Sequence, residues 1–368
     1  MSQGSAESAL QQALRFSLGG WRLSILPLMI SAVVLAALRG HPVLTFAAAA
    51  LALVPLAGLL GHATAELAEH VGPAAGGLLN ATLGNLAELI IGILALRQGQ
   101  IEVVKASITG SIIGNLLLVF GLAAFVGGLG REKLAFSSVA MGANTSMLFL
   151  AVVALVMPAL FQLLVFGAVQ ARGIRIEHLS LSVAGILLLS YAASLVFILN
   201  THRNLFRGEI GGQRALGRGV VLAVLAAAAV LVAVASEILV RQIEAVNSAL
   251  GWTQLFVGVV VVATVGNAAE HSTAILAARS GRMDLALHIA VGSSTQIALF
   301  VAPLLVFLSA AIATPMSLVF HPLEIAAVIL SVGAVAVVAM DGETNWLEGL
   351  QLIGIYAILA VFFYVLPV

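Results

Sequence analysis

The chain has 368 residues, 61% of them hydrophobic and only 9% charged, with a mean hydropathy of +1.15. Soluble domains carry about 25% charged residues, so this composition belongs in lipid. Lysine plus arginine equals aspartate plus glutamate at 16 each, which excludes a net field for nucleic acid, and the absence of cysteine excludes disulfides, thiolate metal sites and cysteine nucleophiles.

The first 20 residues lack a long apolar core and an A-x-A site, so no cleaved signal peptide is expected. Trp21 and Arg22 read instead as an interfacial anchor. A membrane span needs about 20 predominantly apolar residues. Read between polar punctuation, the chain predicts eleven, near 23–39, 43–65, 75–97, 102–127, 135–158, 178–200, 218–240, 253–279, 284–312, 321–340 and 346–366. Loops at 99–100, 127–133 and 172–175 are short, and the longest polar connection is 201–218. The predicted fold class is an all-α polytopic membrane protein of eleven transmembrane helices, one plus two inverted five-helix repeats. Its divisions are 1–40, the N-terminal segment and first helix; 41–200, the first repeat; 201–217, a basic connecting loop; and 218–368, the second repeat.

With the N-terminus inside, ten lysines and arginines fall on inner segments and six on outer ones, Lys105 among the six. The positive-inside rule then places the N-terminus in the cytoplasm and the C-terminus outside. Odd parity leaves one helix alone and divides ten into two fives of opposite orientation, the plan of secondary transporters.

The run Ala81-Thr82-Leu83-Gly84-Asn85-Leu86-Ala87-Glu88 returns as Ala263-Thr264-Val265-Gly266-Asn267-Ala268-Ala269-Glu270, 182 positions later. At the same offset, 84–120 and 266–302 share 13 identities in 37, and Glu102 faces Asp284. A glutamate inside each apolar run is costly at membrane depth, which marks both as functional-site candidates. Gly84 and Gly266 permit local helix breaks whose freed carbonyls need a partner or cavity. A hard cation takes carboxylate, carbonyl and amide oxygens. Asn85 and Glu88, like Asn267 and Glu270, are three apart and share a helical face. Glu88 and Glu270 are therefore expected to hold one ion at mid-depth, with the asparagines, the unwound backbone and the hydroxyls of Thr82 and Thr264 nearby. The bland alternative is a protonated glutamate hydrogen-bonded within the bundle.

Ser111 and Asn115, and Ser293 and Gln296, are spaced to line one helix face each, as a polar lining behind the glutamates or as ordinary interhelical hydrogen bonds. Glu66 and Glu237 end their spans and read as an acidic vestibule that concentrates cations, or as solvated helix ends. His288 and His321 read as interface or bundle residues, since no H-E-x-x-H occurs, whereas His271, next to Glu270 but about 100° around the helix, leaves proton relay as an alternative. The chain also lacks a Walker loop, a G-x-S-x-G and a dinucleotide fingerprint, so neither enzyme chemistry nor a cofactor is expected.

The run 84–92, beginning Gly84-Asn85-Leu86-Ala87-Glu88, and its partner at 266–271, together with Met283–Leu287 and Gly292–Leu299, resemble the calcium/proton exchanger family of the calcium/cation antiporter superfamily. The likeness runs from about residue 20 to 366. It implies the one-plus-five-plus-five plan, an ion site between the third and eighth helices, and Glu88 and Glu270 binding Ca2+ and protons in turn. It also implies alternating access by a bundle that includes the first and sixth helices. Eukaryotic members often carry an acidic tract between halves and a long N-terminal tail; the basic 201–218 and the short tail here point to a minimal prokaryotic form in the plasma (inner) membrane. Exchange would be obligatory, because two charged carboxyls without a cation repel in low dielectric. Mn2+ suits the same oxygen ligands, and a cation channel is the rival class; the oligomeric state is not legible.

Overall fold

The computed structural model describes residues 24–366 except 72, 167–173, 202–215 and 313. Trp21, Arg22 and most of the basic connector 201–217 lie outside the described residues. The helices are α1 (Ile25–Ala37), α2 (Pro42–Val71), α3 (Pro73–Leu83), α4 (Leu86–Arg97), α5 (Ile101–Gly128), α6 (Ser138–Phe166), α7 (Ile174–Val196), α8 (Arg218–Leu250), α9 (Gln254–Gly266), α10 (Ala268–Arg279), α11 (Met283–Ala311), α12 (Pro322–Val338) and α13 (Trp346–Val365). Among the described residues seven helices are long and apolar enough to cross a membrane, or eight if the bent pair α9 and α10 is one span. The chain is an all-helical, multi-pass membrane protein.

Among the described residues the one departure from all-α is a two-residue antiparallel ribbon, β1 (Leu134–Ala135) with β2 (Glu343–Thr344), pairing Leu134 with Thr344 and Ala135 with Glu343. It ties two polar connectors, reinforced by Lys133 on Glu343 at 2.6 Å. Several helices outrun their apolar windows. α2 continues through Glu66, Glu69 and His70 to Val71, and α8 runs to Leu250, closed by Gly251 at φ 67. Hydropathy marks where lipid stops, whereas the backbone ladder stops only at a breaker such as a left-handed glycine.

The predicted breaks occur in both copies. The third segment divides at Gly84-Asn85, and the eighth bends by 61° at Asn267. A Cβ at Gly84 would lie 2.5 Å from the Asn80 carbonyl oxygen, so this turn requires glycine. Two π-helical turns, Gly114–Val119 in α5 and Ile297–Val301 in α11, also fall within one residue of the 182-residue offset. Such turns widen the backbone ladder and concentrate at functional positions.

Two compact units emerge, and neither coincides with a sequence half. The first comprises residues 24–94 and 216–252, where α2 packs along α8 and both receive α1. Leu67, Leu79, Val220, Val221 and Leu225 close one end of it. The second comprises 95–201 and 253–366. In it α5 crosses α9 at backbone distance: a Cβ at Gly110 would meet the Val259 oxygen at 2.2 Å, and one at Gly258 would meet the Ala106 Cβ at 2.4 Å. Small residues permit this approach where lipid offers no hydrophobic drive between helices. α13 and α10 flank α5, while α6 and α7 pack on α11. The sixth span, α7, therefore sits in the second unit, and α8 rather than the sixth completes the bundle that holds the first span.

Candidate cation site

Glu88 and Glu270 each occupy the first turn of the half-helix that follows a break, α4 and α10 respectively. The unsatisfied N–H groups at a helix start favour a negative side chain there. The same sequence feature thus builds the same local geometry twice.

In the first unit Asn85 is fully buried within the turn, and its carbonyl accepts from Leu89 N–H at 3.1 Å. Glu88 is half-buried. The Thr82 hydroxyl donates to the Leu78 carbonyl at 2.8 Å.

In the second unit Asn267 is the hub. Its Nδ2 donates to Ser111 Oγ at 2.8 Å and to the Ala263 carbonyl at 2.8 Å, and its Oδ1 accepts from Asn115 Nδ2 at 3.3 Å. Glu270 accepts a hydrogen bond from Ser293. The remaining Glu270 oxygen, Oε2, is buried with no hydrogen-bond partner among the described residues, and so is Asn115 Oδ1. Two unmatched acceptor oxygens in a buried polar core make an arrangement that a cation or a proton would complete. Among the described residues no three His, Asp or Glu side chains gather at one point. A cation here must therefore draw on carbonyl, amide and hydroxyl oxygens as well.

The structure thus brings Ser111, Asn115 and Asn267 into one network, and joins Ser293 to Glu270. Thr264 shares a hydrogen bond with Tyr356 of α13. Gln296 lines a crevice with Asn144, Tyr191, His288 and Thr295. Glu66 accepts from Leu216 N–H at 2.9 Å and so fastens the entry to α8. Glu237 is forked by Arg241, with Nε and Nη2 both at 2.7 Å from Oε1. His321 caps α12, its Nδ1 accepting from Leu323 N–H at 3.3 Å.

One buried cluster lies outside the duplicated motif. Lys105, placed above among the outer charges, is buried, and so are Thr109 and Glu324. It therefore carries no weight in the orientation count. The available signal was a lone lysine and a lone glutamate in apolar spans, the same signal that singled out Glu88.

The "Ca(2+)/H(+) antiporter" of Synechocystis sp. (strain PCC 6803) is 44% identical over 345 residues, covering 88% of this chain and 91% of that protein. The "Ca(2+)/H(+) antiporter ChaA" of Bacillus subtilis is 42% identical over 328 residues, covering 87% and 92%. The solved structure of native YfkE superposes with a TM-score of 0.81 at 38% identity, covering 93% of this chain and 98% of that one. The profile of the sodium/calcium exchanger protein family matches residues 41–200 and 220–365. With helices broken at duplicated Gly-Asn pairs and an acid after each break, the chain belongs to the sodium/calcium exchanger protein family.

Proposed function

We propose that the protein is a secondary active antiporter exchanging Ca2+ for H+, with Glu88 and Glu270 holding cation and protons in turn. The observation that carries the reading is Glu270 Oε2, buried and unmatched at the start of a half-helix beside Ser293 and the Asn267 network. The antiporter relatives support the choice of ions. Asn85, Asn267, Gly84, Gly266, Thr82 and Thr264 belong to the same two breaks. Ser111, Asn115 and Ser293 line the approach in this reading, Gln296 extends the lining, and Glu66 and Glu237 are mouth acids tempered by Leu216 N–H and Arg241.

The coupling follows from electrostatics. A buried carboxyl is stable when protonated or when it faces a cation, and strongly disfavoured when charged and alone. Protons and Ca2+ therefore compete for the same oxygens, so apparent Ca2+ affinity rises with pH. Eleven spans in a one-plus-five-plus-five plan, with the N-terminus cytoplasmic in a prokaryotic plasma (inner) membrane, complete the proposal. Mn2+ remains the alternative cargo, because oxygen ligands suit both ions.

The test is Ca2+ uptake into proteoliposomes under an imposed pH gradient. Glu270→Gln and Glu88→Gln are expected to abolish uptake while the purified variants stay monodisperse. Coupled uptake persisting in either variant removes that residue from the mechanism. Ca2+ flux that needs no pH gradient would favour a channel.

A further inference from the structure

Lys105, Thr109 and Glu324 form a buried polar cluster in the second unit that the exchange mechanism does not use. Lys105 Nζ donates to the Val319 carbonyl at 2.9 Å and stands 3.7 Å from Glu102 Oε1. Thr109 Oγ1 donates to Glu324 Oε1 at 2.7 Å, and Glu324 Oε2 accepts from His321 N–H at 2.9 Å. Lys105 and Thr109 are one helical turn apart on α5, so from one face Lys105 holds the connector before α12 and Thr109 holds the first turn of α12.

What they grip is unusual. Residues 316–320 are non-helical yet buried. Buried irregular backbone persists only where other groups satisfy its N–H and C=O. Ser309 accepts from Met316 N–H at 2.8 Å, Ser180 accepts from Leu318 N–H at 3.0 Å, and Lys105 serves the Val319 carbonyl. The segment 182 positions earlier, 134–138, is only partly buried, with 135, 137 and 138 exposed, and there Asp284 accepts from Ser137 N–H at 2.7 Å. Asp284 corresponds to Glu102 and Ser137 to Val319. Both copies thus tie the connector to an acidic helix start, but only one does so through a buried lysine, threonine and glutamate.

We propose that Lys105, Thr109 and Glu324 are positioning residues for the cation-binding face of α5. Ser111 follows Thr109 by two residues, about 200° around the helix axis, so α5 is fastened on one face and presents Ser111 on the opposite one. Asn115 follows Ser111 by four residues and shares its face. Immediately beyond Ser111 the π-helical turn Gly114–Val119 begins, where the ladder is irregular. The rotational setting of Ser111 and Asn115 therefore comes from the fastened end at 105–109, and releasing it changes how these side chains meet Asn267.

The proposal rests on the Ca2+/H+ reading only for its probe. Equilibrium Ca2+ binding to the purified full chain is measured by calorimetry for wild type, Thr109→Val, Thr109→Ser and Glu324→Gln, with thermal unfolding in parallel. Proton-coupled uptake is measured separately, so its absence in the wild type would count against the exchange reading alone. Thr109→Val and Glu324→Gln are expected to weaken Ca2+ binding by about twofold to thirtyfold, with Thr109→Ser near wild type. Should Glu324→Gln fail to fold, the isosteric Thr109→Val and its serine rescue decide. Lowered thermal stability with unchanged Ca2+ affinity, or serine as impaired as valine, overturns the proposal.

Discussion

Asn267 shows how one side chain can organise a site without being charged. It bridges Ser111, Asn115 and the Ala263 carbonyl from a position where the helix has just broken. Replacing it by alanine leaves Asn115 and Ser111 short of partners in a buried setting, where an unmatched polar group costs about 1–3 kcal/mol. Asn267→Ala should therefore lower the unfolding temperature in detergent by several degrees as well as impair Ca2+ binding; an unchanged melting profile would show the network to be dispensable to the fold. By contrast, the exposed pair of Lys133 and Glu343 should matter little. The hydrogen bond and negative charge of Glu343 raise the Lys133 pKa. Any stability the pair supplies is present below the unfolded lysine pKa and lost as pH rises through the raised value, far above neutrality, and solvent and salt screen it. Glu343→Gln should leave neutral-pH unfolding unchanged. The duplicated acids and asparagines were legible in the sequence because repetition in register needs a shared cause. Their partners were not, since a hydrogen bond between residues 111 and 267 has no local signature.

At the scale of elements, the crossing of α5 and α9 carries a quantitative expectation. No side chain fits at Gly110 or Gly258 without parting the helices. Overpacking of this kind costs about 1–3 kcal/mol, so Gly110→Ala should destabilise clearly. Gly61 and Gly185 lie in helices with nothing within 4 Å of a built Cβ. Alanine there should be neutral or stabilise by about 0.5–1 kcal/mol, because it narrows the unfolded chain's freedom. Thermal unfolding of the variants compares the two classes directly, and equal effects would show that the crossing is looser than the geometry indicates. The hydropathy pattern located these elements well, because lipid imposes a minimum apolar length. It misjudged ends such as those of α2 and α8, where the helix continues into polar residues. It was also silent on the buried connector 316–320, whose apolar residues merge with the flanking spans.

At the scale of the whole molecule, coupling is the property to measure. Proteoliposomes loaded with Ca2+ should exchange it under a pH gradient, stop when a protonophore collapses that gradient, and stay inert under a sodium gradient alone. Sodium-driven flux would reassign the coupling ion. The two compact units recruit segments from both halves of the chain, α8 joining α2 in one and α9 joining α5 in the other. An internal repeat predicts such interleaving in general but does not say which helices exchange partners, and the structure assigns α8, not the sixth span, to the unit of α1 and α2.

By itself the sequence determined that this chain lives in lipid, that one stretch recurs 182 positions on, and that each copy of it breaks a helix just before an acid. Those features are local, written in composition and in spacing along one strand of residues. Only the tertiary structure decided that Asn267 joins Ser111 and Asn115, that Gln296 lines a crevice with Tyr191 and His288, and that Lys105 is sealed with Thr109 and Glu324 rather than facing solvent. Each of these depends on which helix faces approach each other, and in an apolar span hydropathy scarcely distinguishes one face from the next.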